Sequence, residues 1–130
     1  MTNDEIRDFI QQSIDENRVM LFMKGTPNAP ACGFSARTAG ALNALGVQYA
    51  ALDILPDPRI REELSGLSGW PTIPQLFVNK ELVGGSDIVI EMFESGELAE
   101  LLGVEQPEAV EAEPEPEPAQ RPIGLENRLD

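Results

Sequence analysis

Short apolar segments alternate with amphipathic segments over residues 1–103, and this alternation limits most strongly what the chain can fold into. The continuous apolar run 19–23 is typical of a buried strand. Before it, apolar residues recur at helical spacing over 3–17, and Thr2 and Glu5 fit a capping box at the start of that helix. The full order, α-β-α-β-α-β-β-α-α, predicts an α/β fold in which a four-stranded mixed sheet is flanked by helices.

The other elements are predicted from the same periodicities and from glycine and proline positions. Further helices are expected over 33–45, 56–67, 86–94 and 97–102. A strand is expected over 47–54, and a hairpin over 75–83 turns at Asn79 and Lys80. Phe9 and Phe34 stand on the predicted apolar faces of their helices. Glycine and proline punctuate the segment 24–31, which is therefore predicted to be a loop that ends at Cys32.

The composition changes at Val104. Residues 104–130 hold five prolines and eight acidic residues, including the run Glu-Pro-Glu-Pro-Glu-Pro. Such a segment cannot bury a core, so we expect one folded domain over 1–103 and a disordered acidic tail over 104–130. The last part, 121–129, regains some apolar character. The tail is therefore interpreted either as a solubilising segment or as the carrier of a docking motif.

One cysteine, Cys32, and the absence of histidine limit the chemistry of the chain. An intrachain disulfide, Ser-His-Asp or Cys-His catalysis and a closed zinc site within one chain are all excluded. The net charge of −14 argues against a nucleic-acid partner. No apolar run approaches the roughly 18–20 residues that span a membrane, and no secretory signal follows Met1. A reducing, cytoplasmic location is expected.

Cys32 lies where the predicted loop gives way to the second helix. Free backbone N–H groups at a helix N-terminus favour a thiolate, and Lys24 at the other end of the loop adds a positive charge. We therefore expect a thiol with a lowered pKa and a sulfur at the surface. The alternative is a buried packing cysteine, because free cysteine is often buried. The flanking Pro30-Ala31 and Gly33 favour the reactive thiol.

The tetrapeptide Cys32-Gly33-Phe34-Ser35 stands among several other short motifs. These are Met23-Lys24-Gly25-Thr26-Pro27, Asp53-Ile54, Ile60-Arg61, Trp70-Pro71-Thr72-Ile73-Pro74-Gln75-Leu76 and Gly84-Gly85-Ser86-Asp87. In this order and spacing they resemble the monothiol (CGFS-type) glutaredoxins, in the bacterial single-domain form, along nearly all of 1–103. The resemblance implies a thioredoxin-like (glutaredoxin) fold.

The resemblance also implies a glutathione site. The residues that it assigns to this site are Lys24, Arg61, Thr72, Ile73, Gly85, Ser86 and Asp87. Lys24 and Arg61 are cations suited to the carboxylates of glutathione, although most surface lysines and arginines have no such role. Gly85 allows a backbone to come close to a ligand.

Several of these positions have a second interpretation. Ile73-Pro74 resembles a cis-proline turn that leaves the backbone of Ile73 free to pair with an extended peptide, and the alternative is a trans proline entering a strand. Ser86 opens a helix whose N-terminus suits a carboxylate, or it is simply the N-cap. Trp70 forms either a wall of the site or part of the core.

The cofactor implied by the resemblance is a 2Fe-2S cluster, which normally needs four ligands, commonly thiolates. Cys32 is the one thiolate that the chain supplies, so a cluster must be shared and must use outside ligands. We therefore expect a homodimer bridged by the cluster, with one glutathione per subunit. The predicted function is transfer of the cluster to apo iron-sulfur acceptor proteins. The resemblance further implies a BolA-type protein as a partner.

The alternative function is a glutathione-dependent thiol-disulfide oxidoreductase. In that reaction Cys32 attacks a protein–glutathione mixed disulfide, and a second glutathione resolves the intermediate. One cysteine is sufficient for this chemistry. Many relatives carry a second cysteine where this chain has Ser86, so an intramolecular disulfide with Cys32 is excluded.

Overall fold

The computed structural model describes residues 1–105. Its helices are α1 (Asn3–Glu16), α2 (Gly33–Ala44), α3 (Pro58–Ser68), α4 (Ser86–Ser95) and α5 (Glu97–Leu102). Its strands are β1 (Val19–Met23), β2 (Gly25–Thr26), β3 (Ala29–Pro30), β4 (Ala50–Asp53), β5 (Gln75–Val78) and β6 (Glu81–Gly84). The tail predicted over 104–130 lies outside the described residues from 106 onward.

Four of the strands form one mixed sheet in the order β4-β1-β5-β6. The central strand β1 pairs in parallel with β4 and antiparallel with β5, which places Phe22 opposite Gln75. β5 and β6 form the predicted hairpin, and its turn residues Asn79 and Lys80 both have positive φ, at 52° and 71°. Positive φ at both central residues is what a two-residue hairpin turn of type I′ requires. The predicted four-stranded mixed sheet is confirmed.

The sheet separates two apolar cores, because successive side chains of β1 point to opposite faces. Val19, Leu21 and Met23 pack in the core that also contains buried residues of α2, α4 and α5. Met20 and Phe22 pack in the core shared with α1 and α3. All five residues of β1 are buried. Lys24, which follows β1 directly, therefore starts from a rigid support.

Local capping groups define the starts of α1 and α3, the two helices that share a core with Met20 and Phe22. The predicted capping box is present, since the Glu5 N–H donates to Thr2 Oγ1 at 3.1 Å and the Thr2 N–H donates to Glu5 Oε1 at 2.7 Å. Asp57 caps α3 by accepting from the Arg59 N–H at 3.0 Å. None of the described helices is long and apolar enough to cross a membrane.

The predicted core positions of two aromatic residues, Phe9 and Phe34, are wrong. Phe9 is 44% exposed, because α1 buries the row Ile6, Ile10 and Ile14 and leaves Phe9 beside that row. Phe34 is 57% exposed in the first turn of α2. Both residues lie in helices, as predicted, but the buried face of each helix is narrower than the apolar pattern suggests.

The segment 24–31 is also more ordered than the predicted loop. Gly25 pairs with Pro30 and Thr26 with Ala29, so that β2 and β3 form a small hairpin. Gly25 has a φ of +85°, and a Cβ there would lie 2.5 Å from the Ala29 carbonyl oxygen. Only glycine fits this close turn. The strand predicted over 47–54 is shorter in the structure and covers Ala50–Asp53.

Candidate functional site

Cys32 is the N-cap residue of α2 and is only partly buried. Its extended backbone brings the chain out of the β2–β3 hairpin, and its sulfur accepts a hydrogen bond from the Ser35 N–H at 3.3 Å. The sulfur thus occupies the place that a serine or aspartate oxygen takes at an ordinary helix start. This arrangement supports the prediction of a reactive thiol rather than a buried packing cysteine.

The hydroxyl of Ser35 links Cys32 to the end of the central strand. Ser35 is fully buried, and its Oγ lies 3.3 Å from the Cys32 Sγ. The same oxygen accepts a hydrogen bond from the Lys24 backbone N–H at 3.0 Å. A hydroxyl can accept and donate at the same time, so Ser35 can accept from Lys24 and give its own hydrogen to a thiolate at Cys32.

The pKa of the Cys32 thiol is set by opposing influences. Desolvation by burial is the largest single influence and acts to raise the pKa. Hydrogen bonds from the side chain and backbone of Ser35 and from the backbone of Phe34, together with the positive charge of Lys24, act to lower it. The lowering influences win, so the pKa of Cys32 lies below its ordinary value. The thiolate is the form that attacks disulfides and binds metals.

A groove of about 340 Å³ includes Phe34, two residues after Cys32, in its lining. It is lined by Lys24, Phe34, Arg61, Trp70, Thr72, Ile73, Gly85, Ser86, Asp87 and Ile88. Cys32 is not among the lining residues, but Ser35 joins it to Lys24, which is one of them. Lys24 and Arg61 bring two positive charges to the groove, and Asp87 brings one negative charge.

All seven residues that the resemblance assigns to a glutathione site line this one groove. They come from four separate parts of the chain: the end of β1, α3, the turn before β5, and the start of α4. Their proximity is a property of the fold and not of sequence spacing. Their role in binding glutathione stays a prediction.

The turn before β5 forms one wall of the groove. The Ile73–Pro74 peptide bond is cis, as the resemblance implies. Gln75 is fully buried, and its Nε2 donates to the carbonyl oxygens of Trp70 at 2.9 Å and Thr72 at 3.1 Å. From outside the turn, Arg61 Nη2 donates to the Pro71 carbonyl at 3.4 Å. Trp70 is half-buried and lines the groove, so it forms a wall of the site, which was one of its two predicted roles.

The start of α4 forms another part of the groove lining, and there the prediction for Ser86 needs correction. Gly85, not Ser86, is the N-cap, and no side chain caps this helix among the described residues. Backbone N–H groups at the first turn of a helix have no partner within the helix. The start of α4 therefore offers uncapped N–H groups beside the groove, a setting that suits an anion.

The two glycines before α4 are also closely packed within the protein. A Cβ on Gly84, which has a φ of +147°, would lie 2.8 Å from the Cβ of Ile88. A Cβ on Gly85 would lie 3.1 Å from Trp70 Nε1 and 3.4 Å from the Pro74 carbonyl oxygen. The absence of a side chain at Gly85 thus lets the start of α4 lie close to Trp70 and Pro74.

Asp53 fixes the hairpin that precedes Cys32. Its Oδ1 accepts hydrogen bonds from the Gly25 N–H at 2.9 Å and the Leu55 N–H at 3.0 Å. Within the hairpin, the Ala31 N–H donates to the Lys24 carbonyl at 2.8 Å. These bonds tie the approach to Cys32 to the end of β4.

Sequence reasoning gave no role to two buried polar residues of the site, Ser35 and Gln75. Ser35 stands three residues after the N-cap, a spacing at which side chains reach back to the N-cap. This spacing is a sequence signal from which its contact with Cys32 could have been predicted. Gln75 is a polar residue at the head of an otherwise apolar buried strand, Gln75–Val78. Its partners, two backbone carbonyls, depend on how the turn folds and carry no sequence signal.

Comparison with known proteins agrees with this geometry. The family model described as Glutaredoxin matches residues 19–83. A protein of Rickettsia typhi named probable monothiol glutaredoxin 2 is 50% identical over 102 residues, which cover 78% of this chain and 91% of that relative. The residues matched by the family model, 19–83, include Cys32 and six of the ten residues that line the groove.

Solved structures show the same fold. A solution structure of a monomeric truncated mutant of Trypanosoma brucei 1-C-Grx1 is 43% identical with a TM-score of 0.69, over 76% of this chain and 93% of that one. The crystal structure of a buckwheat glutaredoxin–glutathione complex has a TM-score of 0.69 at 24% identity, over 78% and 90%. The predicted thioredoxin-like fold is confirmed, and the chain belongs to the monothiol glutaredoxins of the glutaredoxin family.

Proposed function

We propose that this monothiol glutaredoxin binds glutathione in the groove beside Cys32 and carries a 2Fe-2S cluster as cargo between two copies of itself. The cluster is then passed to apo iron-sulfur acceptor proteins. The observation that carries the proposal is the single thiolate-favouring Cys32, joined through Ser35 to Lys24 in a groove that has two cations and an uncapped helix start.

The charges of the groove suit glutathione, a short extended peptide with two carboxylates. Lys24 and Arg61 offer charged donors on one side. The first turn of α4 offers backbone N–H groups on the other side. The buckwheat glutaredoxin of the same fold has been solved with glutathione, which is in keeping with such a ligand in this family.

The donor set of the chain explains why outside ligands are needed. The whole sequence contains one cysteine and no histidine, and no group of three or more metal-binding side chains occurs among the described residues. A 2Fe-2S cluster commonly has four thiolate ligands. Two Cys32 thiolates and two glutathione thiolates supply that number, and in such a homodimer two of the four ligands are not part of the protein. Shared, exchangeable ligation suits transfer.

We take the partners from the resemblance to the monothiol glutaredoxins. Apo iron-sulfur proteins are the acceptors, and a BolA-type protein is a second partner, which contributes ligands in place of one copy of this chain. The cytoplasmic location stays a prediction from the sequence.

Anaerobic reconstitution with iron and sulfide tests the proposal. We expect visible absorbance from a cluster only when glutathione is present, and elution from a sizing column as a dimer. Cys32→Ser should lose the absorbance and keep its far-UV circular dichroism, because a hydroxyl is a poor ligand for iron. Equal cluster yield in Cys32→Ser, or in the absence of glutathione, would contradict the proposal.

The lowered pKa of Cys32 also favours a second candidate, a glutathione-dependent thiol-disulfide oxidoreductase. The Cys32 thiolate attacks the glutathione sulfur of a mixed disulfide, the client thiolate leaves, and a second glutathione thiolate then releases Cys32 as oxidised glutathione forms. Turnover of a glutathionylated peptide by a colourless monomer that takes up no cluster would favour this enzyme over the carrier.

A further inference from the structure

Gln75 is a buried amide in a place where an apolar side chain would be expected. It begins the central strand β5, opposite Phe22 of β1, and Leu76, Phe77 and Val78 after it are all buried. Its Oε1 is buried and has no hydrogen-bond partner among the described residues. A buried acceptor without a partner lowers stability. The amide is therefore not explained by stability alone.

The other end of the amide makes two hydrogen bonds to one turn. Nε2 donates to the carbonyl oxygens of Trp70 and Thr72, at 2.9 and 3.1 Å. Carbonyl oxygens only accept, so the amide must present its NH₂ group to them and turn its oxygen away. One rigidly held side chain thus fixes two carbonyls that are two residues apart in the chain.

The turn that Gln75 fixes carries a large part of the groove wall. Trp70, Thr72 and Ile73 all line the groove. Arg61 reaches the same turn through the Pro71 carbonyl. Pro71 and Thr72 are exposed, whereas Ile73 after them is buried in the core shared with α1 and α3. The two hydrogen bonds from Gln75 connect the exposed turn to the centre of the sheet.

We propose that Gln75 is a positioning residue of the glutathione groove, whose amide holds the Trp70–Thr72 turn in the shape that receives an extended peptide at Ile73. Gln75 does not line the groove and acts through the turn. The inference rests on the proposed binding of glutathione. Preorganisation of this kind strengthens binding because the ligand does not have to order the site itself.

The variant Gln75→Met tests the role, because it keeps the length of the side chain and removes both donors and the unpaired oxygen. Both carbonyls lose a buried donor, so we expect a lower melting temperature in a variant that still folds. Glutathione affinity, measured by calorimetry, should fall about tenfold. The rate at which iodoacetamide alkylates Cys32 should not change, since Ser35 and Lys24 set that thiolate.

A second variant and a control keep the test decisive. Gln75→Asn keeps an amide but is one methylene too short to reach both carbonyls, so it should also weaken glutathione binding. Thr38→Val removes another buried polar group, one that bonds the Phe34 carbonyl within α2 and does not touch the turn. It should retain wild-type affinity. Affinity within twofold of wild type in folded Gln75→Met or Gln75→Asn would overturn the proposal.

The single tryptophan of the chain reports on the turn without any ligand. A loosened turn should make Trp70 more accessible to acrylamide quenching in both Gln75 variants. If the wild type does not bind glutathione, the proposed function fails, and quenching alone decides the role of Gln75 in shaping the groove. Increased quenching would then support that role, and quenching equal to that of the wild type would overturn it.

Discussion

At the scale of single residues, one hydroxyl connects the reactive sulfur to the sheet. Ser35 Oγ accepts from the Lys24 N–H and lies within hydrogen-bond distance of the Cys32 Sγ. The tetrapeptide that characterises the sequence therefore has a physical reason for its last residue. A second cysteine at that position would replace a good hydrogen-bond donor with a weak one.

Ser35→Ala should raise the pKa of Cys32, because the thiolate loses a donor while burial still opposes its charge. Alkylation by iodoacetamide follows the thiolate, so its pH midpoint should move upward and its rate at neutral pH should fall. Thr38→Ala is the matched control, as it removes a buried hydroxyl from the same helix away from the sulfur. An unchanged pH midpoint in Ser35→Ala would show that the hydroxyl does not act on the thiol.

Arg61→Ala should weaken glutathione binding about tenfold, as expected when one charged donor to a carboxylate is lost. Calorimetry at constant ionic strength measures the effect. Arg7→Ala changes the net charge equally, but that arginine pairs with Glu63 and does not line the groove. Equal affinities in the Arg61 and Arg7 variants would mean that Arg61 acts only through overall charge.

At the scale of elements, the groove depends on how closely the start of α4 approaches the turn before β5. Gly85 and Trp70 meet where a Cβ on Gly85 would lie 3.1 Å from Trp70 Nε1. That indole nitrogen is buried and has no partner among the described residues. A displaced indole ring would change the wall without changing any charged group.

Gly85→Ala should therefore move the Trp70 ring, destabilise the fold by about 1–3 kcal/mol and weaken glutathione binding. Tryptophan fluorescence, chemical unfolding and calorimetry report the three effects. Gly66→Ala is the control, because a Cβ there meets nothing within 4 Å in the interior of α3. It should stabilise the fold by about 0.5–1 kcal/mol. Unchanged fluorescence in Gly85→Ala would contradict the close contact.

The elements were predictable from the sequence where local patterns determine them. The capping box at Thr2, the buried run of β1 and the turn at Asn79 and Lys80 are all present. The β2–β3 hairpin was missed because its two-residue strands depend on Asp53, which is distant in the sequence. The exposure of Phe34 was missed because helical periodicity does not show where a groove opens.

The groove itself was predictable only through the resemblance to known proteins. Lys24, Arg61 and Ser86 are far apart in the chain, and no spacing rule brings them together. Gly85 was assigned to ligand approach, whereas the structure adds contact with Trp70 as a reason for glycine. The role of Gln75 needs the position of two carbonyls, which only the folded turn provides.

At the scale of the whole molecule, the residues that follow α5 as far as the described part of the chain reaches still contact the domain. Val104 packs against the core, and its N–H donates to the Ala99 carbonyl at 3.0 Å. Arg18 Nη2 donates to the Leu102 carbonyl at 2.8 Å and closes the same end. A truncation that keeps Val104 and Glu105 therefore leaves these contacts in place.

Removal of residues 106–130 should leave the melting temperature within about 2 °C of the full chain. The segment is rich in proline and acids, and its sequence gives it little to bury. Differential scanning calorimetry of both forms at the same ionic strength measures the change. A large fall in the melting temperature would show that the tail docks on the domain.

In the proposed homodimer the cluster is shared between two chains, because one chain supplies a single thiolate and no histidine. Native mass spectrometry of the anaerobically reconstituted protein tests this claim most directly. We expect a mass equal to two chains, one 2Fe-2S cluster and two glutathiones, and bare single chains for Cys32→Ser. A cluster on a single chain, or a clustered dimer without glutathione, would contradict the account.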